Sequence, residues 1–359
     1  MNSAIICFTA AGVQTALRIR ESLAGWESGS RIRIWCKKKD YFAGDCVQIL
    51  DGSLREWTGA RFADSDAVIF VGATGIAVRS IAPFLVSKTK DPAVIAVDEQ
   101  GKFVISLVSG HIGGANELCA GIAADLQSIP VITTATDLNG KFAVDVFAGK
   151  NHLWISDMKI AKEISAALLD GEQVAFVSDF PVDGKLPLEL VTDRKDRHQE
   201  IRYEIRVTVR KPSGADEAET GRKILSLVPK AAVLGIGCRR GKEAGVLEAF
   251  VTEVLEAHGI WPQAIARVCS IDVKADEPGL LQLCRERALP FVTYSAEELM
   301  RVPGVFGSSA FVAGQVGVDN VCERSAVRGS ENGTLLIGKT ARDGMTAALA
   351  LKKGMIHFE

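Results

Sequence analysis

Short apolar runs, each closed by a polar or glycine turn and followed by helical spacing, constrain this chain more than any other feature. Ala4–Phe8 reads as a first strand and gives way to a helix from Gly12. Arg31–Cys36 is a short strand, and Ala67–Val71, flanked by Asp66 and Gly72, is another. Ala93–Val97 ends in Asp98-Glu99, Phe103–Val108 carries no charge, and Pro130–Thr133 follows. Strands without charge cannot present a face to water, so their alternation with helices implies a parallel sheet covered on both sides.

The pattern changes twice along the chain. Beyond about residue 140, a helix over Met158–Leu169 precedes a strand at Gln173–Ser178. Ile201–Val209 then alternates apolar and charged residues, as a strand with one wet face does. Lys211–Gly221 is polar, contains Gly and Pro, and reads as a loop near a domain boundary. A second α/β pattern starts at the strand Ala231–Ile236. It continues through a helix over Glu243–His258, with Val246, Phe250, Val254 and Leu255 inward, a strand at Ala264–Val273 and a helix at Gly279–Arg287. Phe291–Tyr294 and Thr334–Gly338 complete the expected strands. The chain of 359 residues is too long for one ordinary domain. The expectation is a multidomain α/β protein: a parallel-sheet N-terminal domain over 1–140, an α/β middle segment over 141–229 and a separate α/β C-terminal domain over 230–359.

Composition narrows the function classes. With 47% hydrophobic and 24% charged residues the chain is expected to be soluble and globular. A net charge of −2 argues against a nucleic-acid binder. Near the N-terminus Thr9 and Gly12 break an apolar run that no basic stretch precedes, so no secretory leader is expected. No window reaches the ~18 uncharged apolar residues of a membrane span. The eight cysteines form no CxxC pair, and the five histidines are scattered. A reduced, cytoplasmic protein without a metal site of its own is the economical reading.

Three loops follow strands of the first domain, so one sheet edge is expected to gather them: Gly72–Arg79 (GATGIAVR), Ser109–Asn116 (SGHIGGAN) and Thr133–Asp137 (TTATD). Together they offer Thr74, Gly75 and Arg79, then Ser109, Gly110, His111, Gly113, Gly114 and Asn116, then Thr133, Thr134 and Asp137. A strand feeding a helix presents free N–H groups and a partial charge of about +0.5, which suits an anion or a developing oxyanion. His111 is the candidate base, because its ordinary pKa of about 6.5 suits neutral pH. Asp137 and Glu117 are alternatives, and each also reads as a turn or helix-start residue. Arg79 and Lys88 suit an acidic ligand and equally suit an exposed helix face. Downstream, GIGCRRG (Gly235–Gly241) has GxGxxxG spacing, close to the dinucleotide fingerprint but not identical to it. Gly237, Arg239, Arg240 and, after the next strand, Lys274 form a candidate anion site. Cys238, with no histidine nearby in sequence, reads as a packed thiol rather than a nucleophile.

With these residues laid out, the chain resembles the cobalt-precorrin-5A hydrolase family of anaerobic cobalamin biosynthesis. The resemblance rests on VGATGIAVRSIAP, KTKDPAVIAVDEQGKFVISLVSGHIGGAN and PVITTATD, then on GIGCRRG with SIDVKADEPGL, and loosely on VSDFPVDGKLP. Near the C-terminus the family's run reads closer to GVPSVAEAAA, where this chain has GVDNVCERSAV and keeps Glu323. The resemblance implies hydrolysis of a δ-lactone on a cobalt-bearing corrinoid and release of acetaldehyde, giving cobalt-precorrin-5B. Cobalt then arrives with the substrate, no cofactor is needed, and transient contact with other corrin-pathway enzymes is implied. In that chemistry His111 would take the proton of water, Ser109 and the turn N–H groups would hold the oxyanion, and His111 or Asp137 would serve the fragmentation. Arg79, Lys88, Arg239, Arg240 and Lys274 would meet the peripheral carboxylates. Two other readings stay open. GIGCRRG with Asp272 downstream is compatible with an NADP-dependent oxidoreductase, and the same loops suit a corrinoid-binding protein without catalysis.

Overall fold

Strand order and direction decide where each loop lies. The computed structural model describes residues 1–26, 29–41, 46–87, 90–110, 113–134, 140–192, 201–307 and 317–358. It divides into two units, Met1–Lys141 and Phe142–Glu359. Among the described residues, unit one holds β1 (Asn2–Cys7), α1 (Ala10–Trp26), β2 (Arg31–Cys36), β3 (Gln48–Ile49), α2 (Leu54–Asp64), β4 (Ala67–Val71), α3 (Thr74–Ile81), β5 (Ala93–Val97), β6 (Phe103–Val108), α4 (Ala115–Leu126) and β7 (Ile129–Val131).

These strands make one sheet in the order β3-β2-β1-β4-β5-β6-β7. β4 and β5 are buried along their whole length. Their two faces feed separate cores, one under α1 and α4 and the other under α2 and α3. That two-sided burial is why these runs carry no charge. The expectation of a parallel sheet holds for β1–β5 and fails at β6, which pairs antiparallel with β5, Val94 opposite Val108 and Val97 opposite Val104. The cause is the connection. Only Asp98–Lys102 separate the two strands, and a parallel crossover needs about a dozen residues or more. The Asp98 carboxylate accepts from the N–H groups of Gln100, Lys102 and Phe103 and so builds the hairpin turn. β6 is also only half buried, with Phe103 exposed.

Among the described residues, unit two carries two five-stranded sheets and a two-stranded one. The first has the order β11-β9-β12-β13-β8, from α5 (Val144–Lys150), β8 (Leu153–Ile155), α6 (Met158–Leu169), β9 (Val174–Ser178), β10 (Val182–Asp183), β11 (Leu190–Thr192), β12 (Tyr203–Val207), α7 (Gly214–Thr220) and β13 (Lys223–Pro229). The second has the order β16-β15-β14-β18-β17. It is built from β14 (Ala232–Cys238), α8 (Ala244–Ala257), β15 (Ile265–Ile271), α9 (Pro278–Glu286), β16 (Phe291–Tyr294), α10 (Ala296–Met300), α11 (Val321–Gly329), β17 (Thr334–Arg342) and β18 (Met345–Leu351). β19 (Ile356–His357) returns to pair with β10. One apolar core runs through both five-stranded sheets, so Leu227 of β13 and Ile236 of β14 belong to the same cluster.

Three local expectations are corrected here. Lys211–Gly221 contains a helix: the Ser213 hydroxyl accepts from Asp216 N, and the Asp216 carboxylate accepts from Ser213 N. That reciprocal capping box was present in the sequence as Ser-x-x-Asp. The face of β12 expected to be wet is covered. Glu204 is 1% exposed and is held by Arg206 and Arg222, and Arg206 reaches on to Asp216. Val246 points outward, and Leu247 fills the core beside Phe250. No helix among the described residues is long and apolar enough to cross a membrane.

Candidate functional site

Because β6 runs against β5, the first domain's loops do not share one edge. Ser109 lies beside the start of β5, where its hydroxyl donates to the Asp91 carbonyl at 3.0 Å. Thr134 joins it there, since Asn116 Nδ2 donates to Thr134 Oγ1 at 2.8 Å. Thr74, Gly75 and Arg79 occupy the opposite edge, past the C-terminal end of β4. The strand order reverses between β1 and β4, which makes that edge the topological switch point of the sheet. Arg79 is exposed and lies back over Gly75, so a Cβ there would sit 3.4 Å from the guanidinium.

The Ser109 turn is tightly determined. Ser109 adopts φ 61°, a left-handed conformation rare for a residue with a side chain. Its carbonyl accepts from Ala115 N, and that of Gly110 accepts from Asn116 N. A Cβ on Gly113 would lie 2.3 Å from the Ser109 Cβ, and one on Gly110 would lie 2.8 Å from Asn116 Oδ1. Both glycines are therefore required by close approach. Buried Asn116 also accepts from the Ser106 hydroxyl at 2.7 Å and so ties β6 to α4. By donating to the Asp91 carbonyl, the Ser109 hydroxyl fastens the turn. Gly113 and Gly114 border a cavity of about 370 Å³, whose charged side chains, Asp66 and Glu117, are acidic. Thr133 is exposed. His111, Asp137 and Lys88 lie outside the described residues.

The GIGCRRG loop is where the structure gathers expected residues. Gly237, Arg239, Arg240 and Lys274 line one cavity of about 560 Å³ in unit two, with Ile271, Val273 and Val321 as its apolar wall. Arg240 makes a two-pronged pair with Asp276, at 3.1 and 3.2 Å. Lys274 Nζ donates to Glu277 at 2.9 Å, and Gly241 N donates to the same carboxylate at 2.7 Å. Glu277 is 1% exposed. Burial alone would raise its pKa, but the hydrogen bonds from Lys274 and Gly241 outweigh that and hold it below the ordinary value. Burial pushes the Cys238 thiol up, and its half-buried side chain lines the same cavity.

The loop does not build a dinucleotide turn. Gly235 and Gly237 are strand residues, paired with Ala348 and Thr346 of β18. Gly235 is demanded by packing, because a Cβ there would meet the Cys322 carbonyl of α11 at 1.8 Å. Sequence reading missed Lys339, Asn320 and Thr346 on the cavity wall. The retained Glu323 was the available signal. Its carboxylate accepts from Lys339 N at 2.7 Å and Gly307 N at 3.1 Å. Asn320 caps α11 through Glu323 N at 3.0 Å.

Fold and site together define a two-unit α/β protein with a cation-lined cavity suited to an anionic small molecule. Family models cover most of the chain: "Cobalamin synthesis G N-terminal" over 56–137, "Cobalamin biosynthesis central region" over 142–229 and "Cobalamin synthesis G C-terminus" over 232–350. The chain belongs to this cobalamin synthesis G family. It is 34% identical to the cobalt-precorrin-5A hydrolase of Salmonella typhimurium, over 97% of each chain. It is 31% identical to the cobalt-precorrin-5A hydrolase of Priestia megaterium, over 85% of this chain and 83% of that protein. Protein CobE of a Sinorhizobium species is 30% identical over 39% of this chain and 88% of its own length.

Proposed function

We propose that this protein is a cobalt-precorrin-5A hydrolase, which opens the substrate's δ-lactone and releases acetaldehyde to give cobalt-precorrin-5B. The observation that carries this reading is the end-to-end match to the Salmonella hydrolase. The cavity in unit two is consistent with it, since an apolar wall with cations at its margin suits a macrocycle that carries acid arms. The oxidoreductase reading loses its footing, because two glycines of its fingerprint are spent inside β14.

Water attacking the lactone carbonyl builds an oxyanion, and backbone N–H donors at a helix start offset that charge by about 3 kcal/mol each. In this proposal the Ser109–Asn116 turn supplies those donors. His111 takes the proton from water and returns one to the leaving oxygen, and His111 or Asp137 serves the fragmentation that frees acetaldehyde. Arg79, Lys88, Arg239, Arg240 and Lys274 meet substrate carboxylates. Cobalt enters with the substrate and the enzyme brings no cofactor. The same reading places the protein in the cytoplasm, in transient contact with other corrin-pathway enzymes and without a nucleic-acid partner.

The test is incubation with cobalt-precorrin-5A in the presence of an aldehyde trap. Acetaldehyde in step with substrate loss is expected, and His111→Ala is expected to cut turnover by at least about a hundredfold. Corrinoid binding with no trapped aldehyde would instead make the protein a carrier.

A further inference from the structure

The cations of the unit-two cavity fall into two kinds. Arg240 and Lys274 are neutralised from within the protein, by Asp276 and Glu277. Arg239 and Lys339 also line the cavity, yet among the described residues neither has an acidic partner. Each is placed by a backbone device. The pairing of β17 with β18 shifts register between Ile337 and Thr340, a bulge that contains Gly338 and Lys339. Bulges re-aim a side chain and recur beside active sites. Glu323, 6% exposed, accepts from Lys339 N at 2.7 Å, and a Cβ on Gly338 would lie 3.3 Å from the same carboxylate oxygen. Arg239 N donates to the Gly344 carbonyl at 3.0 Å. Gly344, at φ 75° in the β17–β18 turn, carries the Arg239 side chain across it, and a Cβ there would lie 2.8 Å from Arg239 Cδ.

We propose that Arg239 and Lys339 are the pair that grips carboxylates of the corrinoid, and that Glu323 is the positioning residue that sets the bulge aiming Lys339. This rests on the reading of the protein as a corrinoid hydrolase and sharpens it. The tightest recognition of the acid arms is assigned to the two cations without internal partners, while Arg240 and Lys274, already paired within the loop, add less to it and also keep the loop in shape. An ammonium or guanidinium with no internal counter-ion has the most to gain from a ligand carboxylate, because no existing pair must first be broken.

The test measures binding of cobyrinic acid, a cobalt corrinoid with free carboxylates, and of its neutral heptamethyl ester. Lys339→Met and Arg239→Met are each expected to raise Kd for the acid about tenfold and to leave Kd for the ester within about twofold. Arg301→Met, which removes an exposed cation just past the end of α10 and outside the cavity, is expected to change neither. Lys339→Arg is expected to recover most of the lost affinity. Glu323→Leu, which removes the oxygen that accepts from Lys339 N, is expected to weaken acid binding as Lys339→Met does and to add nothing on top of it, a non-additivity that general destabilisation would not produce. With cobalt-precorrin-5A, both cation variants are expected to raise KM and spare kcat. Unchanged Kd in Lys339→Met and Arg239→Met, or equal losses for acid and ester, overturns the proposal while leaving the hydrolase reading intact. Failure of the wild-type protein to bind the acid also overturns it. Failure of the wild-type protein to release acetaldehyde strikes the hydrolase reading, whatever the variants do to Kd.

Discussion

Replacing Glu277 by Gln tests how the cavity loop is held. The carboxylate is 1% exposed and 2.9 Å from Lys274 Nζ, so at an effective dielectric constant of about 20 the gross attraction is about 6 kcal/mol. Desolvation of both ions offsets much of this. Breaking a buried pair from one side costs about 3–5 kcal/mol, chiefly because the other charge is left alone. The Lys274 side chain is 12% exposed and lines a cavity open to water, so the low end, about 3 kcal/mol, is expected. The glutamine oxygen can still accept from Gly241 N, which confines the loss to the charge. Lys274→Met with Glu277→Met leaves no unpaired ion and only the Gly241 N–H unmet, so the double variant is expected to lose about 1–2 kcal/mol. The assay is urea unfolding of the three proteins, read by hydrogen exchange in peptides from β14 and β15. Acid provides a second check. The folded-state pKa of Glu277 lies below its ordinary value, so its stabilisation is complete above the unfolded pKa of about 4.3 and is lost as pH falls through the folded value. The deficit of Glu277→Gln must therefore shrink on acidification below about pH 4. A deficit under about 0.5 kcal/mol at pH 7, or one that grows in acid, would refute the reasoning.

Other outcomes follow from the same geometry. Gly235→Ala sets a Cβ 1.8 Å from the Cys322 carbonyl, and neither β14 nor α11 can yield locally; a loss above about 3 kcal/mol in thermal or urea unfolding is expected. Ser109→Ala removes the bond to the Asp91 carbonyl; a stability loss of about 1 kcal/mol is expected, and acetaldehyde release should fall far less than the hundredfold typical of a lost oxyanion donor. Iodoacetamide at neutral pH should modify exposed Cys46 first and half-buried Cys238 slowly, and leave buried Cys7, Cys119, Cys269, Cys284 and Cys322 intact, as peptide mass mapping will report.

Local pattern located elements well and joined them poorly. Phe291–Tyr294 and Met158–Leu169 form as their spacing predicts. Met345–Leu351 escaped notice because Ala and Leu suit a helix as readily as a strand; it became β18 because β14 and β17 stand on either side of it. The candidate site shows the same division. Arg239, Arg240 and Lys274 were legible as cations at strand ends. Lys339 was not, because it faces the cavity only through a bulge that Glu323, sixteen residues away on another element, holds in place.

By itself, then, the sequence determined that wholly apolar runs such as β4 and β5 must be buried, since they have no face for water, and that the glycine-rich stretch after β6 must turn. It also carried, in the Asp98–Lys102 link, enough to know that β6 turns back on β5. The tertiary structure decided which loops meet. That depends on strand order and direction, and hydrogen bonds between strands remote in sequence set both. A periodicity of two or 3.6 residues records which side of an element is apolar but carries no information about its neighbour.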